Sequence, residues 1–115
     1  MNLSGRFILI LQKQMNRIMG NKINLAVQVI PRSDNHDLYY LVDQAIEVIQ
    51  QSGLKYEVCP FETVIEGEYD QVFEVVRKAQ EACFEAGAEE LLINMKVQIR
   101  RGEDVGIEEK TGKYR

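Results

Sequence analysis

The chain has 115 residues, 45% of them apolar and 28% charged, which fits one soluble domain whose thin core would benefit from oligomerisation. Its formal net charge of −4 is uneven: residues 1–22 carry Arg6, Lys13, Arg17 and Lys22 and no acid, and the remainder carries 10 basic and 18 acidic groups. An acidic body argues against nucleic acid or an anionic membrane as the main partner; it suits a cationic ligand, though solubility explains it more simply.

Residues 1–22 read as a non-core extension, either disordered or a short helix. The apolar run "FILIL" within it is far too short to span a membrane. It is also shorter than a signal-peptide core, and no A-x-A cleavage pattern follows. The basic, acid-free composition resembles that of a transit peptide, but Met15 and Met19 just before the first patterned segment favour an upstream start codon.

The patterned domain covers residues 23–115. "INLAVQVIP" (23–31) alternates, with Ile23, Leu25, Val27 and Val29 on one face and Asn24, Ala26, Gln28 and Ile30 on the other, a half-buried strand ended by Pro31. The polar loop "RSDNHD" (32–37) is rich in helix caps. "LYYLVDQAIEVIQQS" (38–52) repeats its apolar residues at helical spacing, and Gly53 is a natural left-handed stop. "LKYEVC" (54–59) and "ETVIEG" (62–67) predict a second and a third strand around Pro60 and Phe61.

A second helix is predicted from about Tyr69 to Ala86, with Val72, Phe73, Val76, Ala79, Ala82, Cys83 and Ala86 as its stripe and Gly87 as its stop. "ELLINMKVQIRR" (90–101) alternates cleanly as a fourth strand. The polar tail "GEDVGIEEKTGKYR" forms a short terminal element or stays loose. The order β-α-β-β-α-β predicts a ferredoxin-like α+β fold, a four-stranded antiparallel sheet with two helices on one face. The other face mixes polar and apolar groups, which suits either solvent or another subunit.

No metal or nucleotide signature stands out, and no catalytic residue is assigned. His36 reads as a turn residue beside Asp34 and Asp37, and Cys83 as core. Cys59 and Cys83 lack C-x-x-C spacing, which fits reduced thiols in the cytosol. Glu62 and Glu66 share a strand face but lie roughly 13 Å apart along it, beyond the roughly 5–9.5 Å of paired catalytic carboxylates. Glu62 therefore reads as a strand-start charge. Spacing leaves Glu66 open between serving the second helix N-terminus and binding a ligand. Gln28 and Lys96 on the uncovered face, and Tyr39 with its amphipathic ring, are further groups for a strand-end pocket. An acid, a hydroxyl, an amide and an aromatic surface together suit a small, flat, nitrogen-rich ligand.

The segments "AVQVIP", "AIEVIQQSGLKYEVCPFETVIEGEYDQVFEVV" and "RRGEDVGIEEKTGKYR" together resemble the thiamine-binding (YkoF-like, formerly UPF0045) family, over about residues 23–115. "SGLKYEVCPFETVIEG" carries the most specific part of the match. The resemblance implies a ferredoxin-like fold associating through its sheets into homodimers or homotetramers. It also implies thiamine or its hydroxymethylpyrimidine part as bound ligand, with no catalysis and no cofactor. Thr63 and Glu66 lie in the matching T-x-x-E-G segment and lead the candidate ligand-binding residues; Gln28 follows, while Lys96 and Tyr39 rest on geometry alone. The alternatives are a structural or regulatory oligomer with no vitamin ligand, and an acylphosphatase-like hydrolase. The latter would use Arg32, but nearby aspartates and missing glycines make a poor phosphate loop.

Overall fold

A computed structural model describes residues 4–11 and 21–115. Residues 5–11 are helical and exposed; residues 1–3 and 12–20 of the predicted extension lie outside the described residues. The domain runs β1 (Lys22–Arg32), α1 (Leu38–Gln51), β2 (Lys55–Val58), β3 (Thr63–Glu68), α2 (Tyr69–Glu85), β4 (Glu90–Gln98) and α3 (Ile107–Thr111), closing with a 3₁₀ turn (Gly112–Tyr114). The sheet order is β2-β3-β1-β4 and every pairing is antiparallel, so the ferredoxin-like arrangement expected from the element order is the one adopted.

Alternation in β1 sets the layers. Ile23, Leu25 and Val27 pack under the helices with Ile65 of β3, Ile49 of α1 and Val72, Val75 and Val76 of α2. A second cluster, Leu41, Ala45, Ala79, Cys83 and Ala88, fills the seam between α1 and α2. Each helix buries one stripe because residues three and four apart share a face. In α2 it is Val75 that is buried, while Phe73 of the predicted stripe is only half-covered and stacks near Tyr69 at 4.6 Å between ring centres.

Local chemistry fixes the helix ends. The Asp37 carboxylate accepts from the Tyr39 N–H at the start of α1. After α2 the chain reverses at Gly87, whose φ of +120° is unfavourable for any residue with a side chain. A β-carbon there would stand 2.3 Å from His36 Cδ2, so the loop after β1 packs directly against this turn.

The tail is docked rather than loose. It crosses the sheet face that α1 and α2 leave bare, burying Val105 completely and Ile107 almost so. The Val105 N–H donates to the Lys22 carbonyl at 2.9 Å, and the Lys22 N–H donates to Asp104 Oδ1 at 2.8 Å. Arg100 reaches the Asp104 carbonyl and the Glu109 carboxylate, and Arg115 pairs with Glu57 of β2.

Candidate ligand-binding site

Where β1 ends and β3 begins, a cavity of about 330 Å³ opens between the sheet and α1. A volume of that size sits at the low end for small-molecule sites. Its apolar wall comes from Val27 and Val29 of β1 and Val42 and Ile46 of α1, and the β2–β3 connection through Pro60 and Phe61 closes one side. Polar groups enter from two elements: Tyr39 and Asp43 from α1, and Glu62 and Thr63 around the start of β3. Gln28 borders the cavity, but it alternates with Val27 and Val29, and its amide lies on the other face with Asn94.

Thr63 is the most constrained of these. It stands opposite Val27 and Val58 in the ladder and is only 6% exposed. Among the described residues its hydroxyl has no hydrogen-bond partner. The residue is enclosed but its hydroxyl keeps a side open to the cavity, since among the described residues no buried side-chain oxygen or nitrogen lacks a partner. It can donate to or accept from a group bound there. Glu62, half-buried beside it, pairs with Lys96 Nζ at 3.4 Å, and Gln28 accepts from Asn94 Nδ2 at 3.2 Å.

Of the five ligand-binding candidates from the sequence, the structure brings the Tyr39 and Thr63 side chains to this cavity, while Gln28 borders it with its amide turned to Asn94 on the bare face. Lys96 lines a different one, on the bare sheet face. Glu66 stands three residues from Thr63, and an odd spacing on a strand puts two side chains on opposite faces. Its Oε1 accepts from the Ile107 N–H at 2.7 Å, holding the tail against the sheet. Thr63 and Glu66 therefore do not meet in one pocket.

The sequence pattern does not single out Asp43, although it carries a signal for it. Tyr39 and Asp43 stand at i and i+4 beside the apolar stripe of α1, so the helix brings a ring and a carboxylate to one edge of the cavity. Glu62 carries more than a strand-start charge, since it lines the cavity as well as pairing with Lys96.

Other candidates are occupied or buried. Arg32 is held by Glu90 at 3.2 Å and Glu89 at 3.7 Å, which takes it away from any phosphate. Cys83 is fully enclosed, its Sγ donates to the Leu41 carbonyl at 3.3 Å, and burial pushes its thiol up from the ordinary value. Both cysteines are free thiols. Among the described residues no cluster of three or more His, Cys, Asp or Glu is placed to hold a metal ion, and no helix is long and apolar enough to cross a membrane.

These features define a small ferredoxin-like α+β domain with a ligand-sized cavity at one end of its sheet. The model of the thiamine-binding protein family matches residues 25–115, and the chain belongs to that family. A UPF0045 protein of Clostridium perfringens is 41% identical over 92 residues, covering 80% of this chain and 96% of the relative. A solved domain of unknown function from Bacillus cereus superposes with a TM-score of 0.79 at 45% identity, covering 83% of this chain and 91% of that one. A Thermotoga maritima structure, named as a candidate thiamine biosynthesis/salvage protein, superposes with a TM-score of 0.72 at 30% identity, covering 82% of this chain and 99% of that one.

Proposed function

We propose that the protein is a non-catalytic, cytoplasmic binding protein for thiamine or its hydroxymethylpyrimidine part, acting as a carrier or a sensor. The observation that carries this reading is the Thr63 hydroxyl, unpartnered among the described residues and open to a cavity with carboxylates at its edge. In this reading the pyrimidine ring lies against Val27, Val29 and Ile46. The exocyclic amino group donates to Asp43 or Glu62, Thr63 bonds a ring nitrogen, and Tyr39 borders the ring. The same carboxylates tolerate the thiazolium cation. Membership of the thiamine-binding family and the likeness to the Thermotoga maritima protein support the choice of ligand. Calorimetry with thiamine and with hydroxymethylpyrimidine tests it: saturable heat from either is the expected result, and no heat with no thermal shift at millimolar ligand sinks it.

A second reading, self-association as a homodimer or homotetramer, has its own support. Leu92, Met95, Val97 and Ile99 are each at least 40% exposed along or just beyond β4, which is also an edge strand. Uncovered apolar edges of this kind favour pairing with another chain. Light scattering on the full chain distinguishes a monomer from an assembly.

A further inference from the structure

A second cavity, of about 340 Å³, lies on the sheet face opposite the first, beneath α3. We propose that it is a separate small-molecule site that takes an organic anion with a compact apolar body. Its existence follows from how the tail is held. Val105 is tied to Lys22 and Ile107 to Glu66, so α3 is fixed over the sheet at two points. Beneath it the sheet presents Ala26, whose register partners are Val64 on one side and Lys96 on the other. A methyl group in the middle of that row leaves open the space that a larger side chain would fill.

The walls and the charge select the ligand class. Ala26, Cys59, Val64 and Ile107 supply an apolar enclosure, and Lys96 and Lys110 bring two ammonium groups to it. The acids nearby already have protein donors: Glu57, which lines the cavity, pairs with Arg115, Glu62 pairs with Lys96, and Glu66 accepts from the Ile107 N–H. Glu109, which lies within the field of Lys110, accepts from Arg100 and the Gly106 N–H. Lys110 differs from Lys96, because among the described residues no carboxylate lies within 4 Å of it. With the Asn24 amide turned to satisfy its neighbours, that amide donates to the Val105 carbonyl and accepts from Lys110 Nζ, each at 3.0 Å. Lys110 is therefore a positioned cation bonded only to a neutral amide, at the edge of an apolar enclosure. A carboxylate or phosphate meets Lys110 there while the organic body displaces water from the wall. The site shares only Cys59 with the first cavity and does not depend on what that cavity binds.

The test is an NMR titration of the full chain with benzoate, with phenyl phosphate, and with benzamide as the uncharged match of benzoate. Saturable shifts of the Ile107, Lys110 and Thr111 amides are expected with at least one of the two anions, with Val42 and Ile46 unmoved. Benzamide binds at least about tenfold more weakly, as loss of a charge-assisted contact requires. Lys110→Met weakens anion binding by a similar factor. Ala26→Leu fills the cavity and abolishes anion binding while keeping Lys110 and leaving any thiamine titration unchanged. No saturable shift with either anion at millimolar concentration, equal binding of benzamide, or anion binding that survives Ala26→Leu in the folded protein would each overturn the proposal. Because Ala26→Leu leaves the first cavity untouched, failure here and failure of the thiamine reading are told apart.

Discussion

The Glu66 carboxylate accepts a hydrogen bond from the Ile107 N–H at 2.7 Å, joining β3 to the start of the terminal helix across 41 positions of sequence. Replacing Glu66 with Ala leaves that half-buried N–H without its acceptor. The expected cost is about 1–3 kcal/mol in global stability or in tail docking. Denaturant unfolding, with hydrogen exchange at Val105 and Ile107, measures it. Thiamine affinity should be preserved, because Glu66 does not line the first cavity. A Glu66→Ala protein that kept its stability but lost thiamine binding would restore Glu66 as a ligand residue.

Thr63→Val gives the opposite signature. Valine has the same shape, and the hydroxyl it removes has no partner among the described residues. Stability should hold or rise, while affinity for thiamine or hydroxymethylpyrimidine falls by about tenfold, the worth of one hydrogen bond. Thermal melts and calorimetry on one preparation check both halves. Asp43→Asn should weaken binding without unfolding the protein, since Asp43 is exposed on α1.

Gly87→Ala should be clearly destabilising, by more than about 1 kcal/mol, because the native φ is positive and the added carbon meets the His36 ring. Pairing it with His36→Ala separates the causes. Removing the ring should recover the steric part of the loss and leave the backbone part, as judged by the two melting curves.

Acid should loosen the tail early. The Gly106 N–H and then the Arg100 guanidinium hold the Glu109 carboxyl below the ordinary glutamate range. A carboxylate depressed in the folded state adds stability that is complete above its unfolded value of about 4.3 and is lost as pH falls through the lower folded value. Hydrogen exchange across residues 103–111 should therefore rise below that range, and a Glu109→Gln protein should show a flatter acid limb.

The element order was legible because each segment kept one period. The alternation predicts β1 over 23–31 and the strand runs Lys22–Arg32, and the helical spacing predicts the first helix over 38–52 and it runs Leu38–Gln51. The tail was harder. Its residues show neither period, and its docking depends on partners at Lys22 and Glu66 that lie far away in sequence. The site was half legible. Tyr39 and Thr63 reach one cavity, but strand parity turns Glu66 and the Gln28 amide to the other face. Asp43 is not legible from the pattern because the apolar stripe dominates the helix and the carboxylate sits at the border of that stripe.

The bond from Val105 to Lys22 also has a bearing on when this fold can form. The opening of the first strand finds its last backbone partner 83 positions later, close to the C-terminus of the chain. During synthesis from the ribosome, β1 can pair with β3 long before the segment that covers the bare sheet face has emerged. Until then the nascent domain carries an unshielded apolar patch at Ala26 and Val64, and closure over it awaits residues 104–111. Loss of the last dozen residues should accordingly show itself first in yield and aggregation.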